Sequence, residues 1–209
     1  MAIINIKSKE RKPAALLFFM FFSIVSATIT GASVRDAVFL TQFDKSYLPV
    51  MFITIAVVMA GVIALYKKLT AGQDQIFVIS ISGALFSVSL FLLQSNLSGL
   101  FIPVLYIWME VVTILSIFQF WILAGEIFNA RQAKRIFTFL GAGGSFAGMG
   151  AGYGIKPFVS TFGSENLLFL TIFFIGLSVV MAQMLRPFRV SRKPKKVNSK
   201  PVAKSKTEF

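Results

Sequence analysis

The sequence predicts an all-α integral membrane protein with six transmembrane helices. Of the 209 residues, 56% are hydrophobic and 24 are Phe, and the mean hydropathy is +0.78. A soluble chain of this length would expose large apolar patches, whereas lipid can cover such a surface. Apolar stretches of about 20 residues, the length that crosses a bilayer, recur along the chain. They predict a membrane domain over residues 14–185.

Six apolar stretches are separated by short segments that contain Gly, Asn, Ser and charged residues, which are typical of turns. The first becomes polar near its end, the fourth carries the carboxylate of Glu110, and the fifth is rich in glycine. Each is long enough for one crossing of a bilayer. The predicted helices cover residues 14–40, 47–66, 76–93, 100–128, 136–159 and 166–184.

Positive charge concentrates in the two tails and on one side of the predicted helices. Thirteen of the 21 Lys and Arg residues lie in residues 1–13 and 186–209, which suits contact with anionic lipid rather than nucleic acid. With the 67–75 and 129–135 loops, one side holds 18 basic residues, so both termini are predicted to be cytoplasmic. Residues 1–13 form a basic N-terminus and 186–209 a disordered tail or linker. The other three basic residues are Arg35, Lys45 and Lys156.

Residues 1–34 also allow a second interpretation, a cleaved signal peptide. A basic segment precedes the apolar residues 16–25, and the small-residue sequence Ser-Ala-Thr follows at 26–28. Cleavage would leave five helices with their loops on the same sides. The charge distribution therefore does not decide between the two interpretations.

The absence of Cys and His limits the chemistry available to the chain. It excludes disulfides, zinc or haem sites built on these ligands, and nucleophilic catalysis that depends on them. We therefore predict a protein that is not an enzyme and has no catalytic residues, cofactor or metal site.

A carboxylate near the middle of the fourth predicted helix marks the first candidate site. A charge at the centre of a membrane helix costs about 2.5–3.5 kcal/mol and usually faces a cavity or a pathway. The alternative is a Glu that is protonated, or paired with one basic residue, for helix packing. Helical spacing places four candidate substrate-binding residues on one face: Tyr106, Glu110, Thr113 and Trp121.

Arg35 and Asp36 extend the candidate substrate site to the first predicted helix. Arg is suited to bidentate recognition of phosphate or carboxylate. The alternative is a charge pair at a helix end. A hydroxyl stripe that precedes the pair either lines the site or packs against another helix, and it consists of Ser23, Ser26, Thr30 and Ser33.

Glycines occur every four residues in the fifth predicted helix, at Gly144, Gly148 and Gly152. Such spacing lets two helix backbones approach closely, so we predict a packing face. A phosphate-binding loop is not predicted over residues 141–154, because no strand precedes it and no Gly-Lys-Ser/Thr follows.

A basic cluster precedes the fifth predicted helix at the cytoplasmic interface. It either anchors the topology or forms a gating salt bridge with Glu126. The cluster consists of Arg131, Lys134 and Arg135. Lys156, at the other end of this helix, is predicted to anchor it at the opposite interface.

Three segments resemble the ADP/ATP antiporter family of bacteria and plastids, a branch of the major facilitator-like transporters. They are Gln-Phe-Trp-Ile-Leu-Ala at 119–124, Arg-Gln-Ala-Lys-Arg-Ile-Phe at 131–137 and Gly-Ala-Gly-Gly at 141–144. Glu110 falls where the family has a Glu on its fourth helix. Val-Arg-Asp at 34–36 with Thr41 is similar to the basic-Asp…Thr segment that follows the family's first helix.

The resemblance implies the N-terminal six-helix half of a transporter in a bacterial inner membrane, moving an anionic solute such as a nucleotide. Nucleotide carriers of the family often have Lys where this chain has Arg35. A lone half offers one wall of a substrate cavity. We therefore expect a partner: a second six-helix half, a second copy of this chain or another membrane subunit. The alternative is a non-transporting scaffold whose helices and basic tail bind partners and lipid.

Overall fold

The computed structural model describes residues 8–95 and 97–189. Six long helices are present, no strand occurs in these residues, and short 3-10 turns lie at Lys45–Tyr47 and Arg186–Phe188. All six predicted helices are confirmed as helices, and the first and fifth begin several residues before the predicted position. The helices are α1 (Ser8–Gln42), α2 (Leu48–Thr70), α3 (Gln75–Gln94), α4 (Phe101–Ile127), α5 (Ala130–Phe162) and α6 (Leu167–Met184).

Five of these helices, α1, α2, α3, α4 and α6, are long and apolar enough to cross a membrane. Helix α5 has 33 residues, or about 50 Å at 1.5 Å per residue, and is therefore long enough for a crossing. It is amphipathic, and glycines together with the charged residues at its start make it less apolar than most of the other helices. The structure therefore fits a multi-pass membrane protein, and the sixth crossing by α5 stays a prediction.

Local capping explains where several helices begin and end. Asp74 caps α3 by accepting hydrogen bonds from the backbone N–H groups of Ile76 and Phe77. Asn129 and Gln132 form a reciprocal capping box at the start of α5. Gly163 ends α5 with a φ of +84°, a conformation that favours glycine.

Helix α1 lies at the centre of the bundle. It contacts α4, α5 and α6, while α3 packs on α4 and α6, and α2 packs on α4. Leu17 and Val34, near the two ends of α1, are both fully buried. Residues 1–34, the alternative signal peptide, include most of this central helix.

Helix α1 runs antiparallel to α4 and α6, so successive helices begin at opposite ends of the bundle. We call the end where α1, α3 and α5 begin the basic end, and the opposite one the far end. At the basic end, apolar packing surrounds Phe120 and Leu140. At the far end, it surrounds Phe39 and Leu105. Helix α2 buries only Met51 and Met59, so most of its apolar surface is left for lipid or a partner.

Glycines on three helices allow close packing. A Cβ added to Gly143 would lie 2.9 Å from the Phe18 carbonyl oxygen, and one on Gly31 would clash with Met109. A Cβ added to Gly83, on α3, would clash with the side chain of Val179. These three contacts bring α1 against α5, α1 against α4 and α3 against α6.

The predicted glycine face of α5 packs over only part of its length. Gly144 lies against Phe21 of α1, with 3.0 Å between an added Cβ and the ring. A Cβ added to Gly148 or Gly152 would have nothing within 4 Å among the described residues. Both glycines line an open groove of about 660 Å³ along α5, beside Ile29 of α1. The packing role predicted for these two glycines therefore has no counterpart in this bundle, because the two helices diverge beyond Gly144.

Candidate functional site

An ion pair joins α1 to α4 in the far half of the bundle. The Nη1 of Arg35 donates a hydrogen bond to Oε1 of Glu110 at 2.6 Å, and its Nε donates to Oδ1 of Asp36 at 2.9 Å. The guanidinium also lies over the ring of Tyr106, 4.5 Å from the ring centroid. These four residues, which the sequence predicts to bind substrate, therefore form one cluster, called the Arg35 cluster below.

The helix geometry explains why these side chains meet. Tyr106 and Glu110 are four residues apart, so they lie one above the other on α4. Arg35 reaches this face from the antiparallel α1, which the absence of a side chain at Gly31 brings close to Met109. Phe39, one turn after Arg35, packs on Tyr106 with ring centroids 4.8 Å apart. Aromatic packing thus covers the cluster on its far side.

The charges in the Arg35 cluster do not balance. One guanidinium faces two carboxylates, so the cluster carries a net charge of −1 when all three groups are ionised. The side chains of Arg35 and Glu110 are 12% and 26% exposed, whereas that of Asp36 is 51% exposed. Coulombic attraction strengthens as water is excluded, so the pair with Glu110 is the stronger restraint on Arg35.

Thr113 and Trp121 do not join this cluster. Thr113 lines a small cavity in the middle of the bundle, between α1, α4 and α6. Trp121 lies eleven residues beyond Glu110, about 16 Å along α4. It packs against Phe21 and Phe137, with ring centroids 5.7 and 5.0 Å away. The four residues predicted to share one face of α4 therefore lie in three places: the Arg35 cluster, the small cavity and the aromatic packing around Trp121.

The hydroxyl stripe of α1 contributes to helix packing at one position. Thr30 Oγ1 lies 2.9 Å from Thr171 Oγ1 of α6, and both residues are buried. Ser23 and Ser33 donate to backbone carbonyls of α1 itself. Of the two interpretations left open by the sequence, the Thr30 contact agrees with packing.

A second set of ion pairs lies at the basic end. Arg189, just after α6, donates from Nε to Oε2 of Glu126 at 2.7 Å. Its Nη1 pairs with Asp74, so one guanidinium connects α3, α4 and the segment after α6. The packed structure thus extends four residues beyond the predicted membrane domain, and residues 190–209 of the predicted tail lie outside the described part.

Among the described side chains, Glu126 does not form the predicted gating salt bridge with the basic cluster. Glu126 pairs with Arg189, while Arg135 pairs with Glu10 at 3.3 Å. Gln132 also donates to Glu10, at 2.7 Å, and so helps to connect the starts of α1 and α5. Arg131 is exposed, and the side chain of Lys134 lies outside the described part of the chain. The anchoring role of these two cations stays a prediction.

Two groups at the basic end have shifted pKa values. Partial desolvation raises the pKa of Asp74, but hydrogen bonds from Phe77 N–H, Arg189 and Ile76 N–H outweigh it and lower the pKa below its ordinary value. Desolvation lowers the pKa of Arg189, but its bonds to Asp74 and Glu126 outweigh this effect and raise it. Both shifts favour the ionised pair.

Sequence reasoning missed several residues of these networks. Asp74 had a detectable signal, because an Asp just before an apolar helix is a typical N-cap. Glu10 and Arg189 had none, since each meets partners more than 60 residues away in sequence. Gln119, a buried amide within α4, carried the signal of a polar side chain inside a membrane span.

The fold and these ion pairs define the class: a helical protein, suited to multiple membrane crossings, with a charged cluster inside the bundle. The chain matches no known protein-family model, no curated protein and no solved structure. The geometry of the Arg35 cluster is therefore the main indication of its function, and the resemblance to ADP/ATP antiporters stays a prediction.

Proposed function

We propose that this chain is one half of a membrane transporter for an anionic solute, with Arg35 as the group that binds the solute's charge. The ion pair between Arg35 and Glu110 carries this proposal. Ionisable side chains within membrane helices are rare and costly, and they often mark a pathway for solutes or protons. A guanidinium can bind carboxylate or phosphate with two parallel hydrogen bonds.

Arg35 must exchange a partner before it can bind an anion strongly. The negative charge of the cluster repels an incoming anion while both carboxylates are ionised. Release of Glu110 from Arg35 removes the strongest restraint on the guanidinium. Glu110 would then act as a gating carboxylate that the anion displaces, while the ring of Tyr106 keeps the guanidinium in place.

The distribution of covered surface supports a half transporter. Helix α2 buries two side chains, and the far half of α5 exposes Gly148, Gly152 and Tyr153. In secondary transporters the substrate lies between two halves of this kind. A second six-helix half, a second copy or another subunit would complete the site. We retain a nucleotide as one candidate solute and a bacterial inner membrane, with cytoplasmic termini, as the location.

Uptake into proteoliposomes tests this proposal. The probes are radiolabelled ATP, ADP and inorganic phosphate, and the chain is purified with any subunit that accompanies it. We expect Arg35→Gln to abolish uptake. Glu110→Gln should lower the anion concentration needed for half-maximal uptake, because it removes the carboxylate that competes for Arg35. Lys156→Gln, which removes another far-end charge, is the matched control and should transport like the wild type. Uptake that persists in Arg35→Gln would refute the role of this residue.

A non-transporting membrane subunit is the second candidate function. The exposed far half of α5 favours it, since Tyr153 is 84% exposed and its helix presents small residues suited to contact with another helix. In that case Arg35→Gln would leave the complex with its partner intact, and no anion would be taken up by the complex. Co-purification and uptake measured on the same preparation separate the two functions.

A further inference from the structure

The side-chain amide of Gln119 lacks a complete set of hydrogen bonds. Gln119 lies on α4, is 3% exposed and accepts a bond from Ser82 Oγ at 3.0 Å through its Oε1. Its Nε2 has no partner among the residues that the structure describes. A buried polar group without a partner costs about 1–3 kcal/mol.

Turning the amide over does not solve the problem. Ser82 has one hydroxyl proton, and the Ile79 carbonyl oxygen lies 3.2 Å away as a second acceptor for it. If Gln119 donated to Ser82, the hydroxyl proton would serve Ile79, and the Oε1 of Gln119 would lose its bond. In either orientation, one atom of this buried amide requires a partner from outside the described chain.

A cavity beside the amide has the size of one water molecule. It has a volume of about 10 Å³ and lies between α1, α3, α4 and α6. Its polar lining residues are Gln119, Ser82, Ser116 and Ser178. A buried water needs about 10–15 Å³ of space open to a water-sized sphere and two to four polar partners. This cavity has about that volume and four polar side chains in its wall.

A second cavity of about 10 Å³ shares part of its wall with the first. Ser116 and Ser178 line both cavities, and Thr28 and Thr113 complete the polar residues of the second. Ser178 donates to the Ile175 carbonyl oxygen at 2.7 Å, so its oxygen remains able to accept a bond from water. The two neighbouring cavities, called the track below, thus place several hydroxyl groups and one amide in an otherwise apolar core.

We propose that this track is a binding site for two ordered water molecules. One bridges the amide of Gln119 to the hydroxyls of Ser116 and Ser178, and the other bridges these hydroxyls to Thr28 and Thr113. The proposal does not depend on the transport function. The two waters would add to the polar groups inside the bundle. Thr113 lies one turn from Glu110, and the backbone carbonyl of Gln119 accepts a bond from Gln75 at the start of α3.

Radiolytic oxidation by X-rays, read by mass spectrometry, tests the site in the purified full chain. Water held next to a buried side chain forms hydroxyl radicals in place, and Met is readily oxidised. Met20 lines the first cavity and Met109 the second, and both are buried. Met59, buried on α2 and lining neither, is the internal reference. We expect Met20 and Met109 to be oxidised faster than Met59.

Variants locate the water at the shared wall. Ser116→Val fills space in both cavities and removes a hydroxyl, so oxidation of Met20 and Met109 should fall to the rate of Met59. Ser178→Ala removes the other shared hydroxyl without added bulk and should act in the same direction. Thr54→Val, a similar change on the exposed face of α2, should have no effect. Equal oxidation of the three methionines in the wild type, or rates unchanged by both variants at the shared wall, would overturn the proposal.

Discussion

The guanidinium of Arg35 is held by three different groups. Glu110 binds it across the helix interface, Asp36 binds it within α1, and Tyr106 offers the negative face of its ring. The pair with Glu110 is partly buried, so breaking it leaves a charge in surroundings that solvate it poorly. The pair with Asp36 is more exposed to solvent, so Arg35 and Glu110 depend mainly on each other for charge compensation.

Loss of the Arg35 charge should destabilise the bundle. Arg35→Gln leaves two carboxylates without a cation, and we expect a loss of about 1–3 kcal/mol in unfolding free energy, less than for a fully buried pair. Arg35→Gln with Glu110→Gln should recover part of that loss. Equilibrium unfolding in detergent micelles measures both, with Lys156→Gln as the control. Additive losses in the double variant would contradict the coupling.

Acid should weaken the ion pair of Asp74 with Arg189 at the basic end. The pKa of Asp74 is lowered in the folded chain, so its stabilising contribution is complete above its unfolded value of about 3.9 and is lost as pH falls through the folded value. Thermal unfolding of the wild type and Asp74→Asn checks this. The gap between their midpoints should be constant near neutral pH and close in acid below about pH 4. A gap that widens in acid would contradict the assignment.

At the scale of elements, α5 differs most from the other helices. Its first half packs on α1 through Gly143 and Gly144, and its second half exposes Gly148 and Gly152. The sequence shows one continuous glycine pattern, because periodicity reports which residues share a face and not where two crossing helices separate. The two covered glycines, Gly143 and Gly144, both lie against side chains or backbone of α1.

Two alanine substitutions in α5 should therefore have opposite effects. Gly143→Ala places a methyl group against the Phe18 carbonyl oxygen, a backbone atom that cannot move aside cheaply, and should cost about 1–3 kcal/mol. Gly148→Ala meets open space and should gain up to about 1 kcal/mol from helix propensity. Unfolding of the monomer in detergent provides the comparison. Equal effects would show that α1 and α5 do not diverge as described.

Apolar length was sufficient to predict the six helices, since membrane-length apolar runs leave little choice of secondary structure. The sequence predicted that Arg35 and Glu110 belong to one candidate substrate site, but it did not predict the ion pair between them. The pairing of Glu126 with Arg189, 63 residues apart, required the packing of α6 against α1 and α3, which brings the segment after α6 to the end of α4. The water-sized cavities were beyond prediction, because they depend on small mismatches in side-chain packing.

At the scale of the whole molecule, the two ends differ in charge and in the contacts that join their helices. The basic end holds the ion pairs of Glu10 and Arg189, and the far end has aromatic packing around Phe39. The excess of Lys and Arg at one end predicts that it faces the cytoplasm. Helix α5 would then have to cross the membrane for α6 to end beside Asp74.

Single-cysteine labelling tests this topology, because the natural chain contains no Cys. We expect an impermeant maleimide to label Ser98→Cys and Ser164→Cys on intact cells. Gln73→Cys should react only after the membrane is opened. The cysteine-free parent is the control. Labelling of Ser164→Cys only after opening would show that α5 does not cross.

The central claim, that Glu110 controls the access of an anion to Arg35, is tested most directly by anion binding to variants of the two residues. The measurement is the rise in unfolding temperature caused by ATP, ADP or phosphate at neutral pH. In the wild type, we expect weak protection by at least one anion, because the carboxylate of Glu110 competes with the anion for Arg35. Glu110→Gln should be protected more strongly than the wild type, and Arg35→Gln should not be protected. Lost protection in Glu110→Gln, or full protection in Arg35→Gln, would contradict the account.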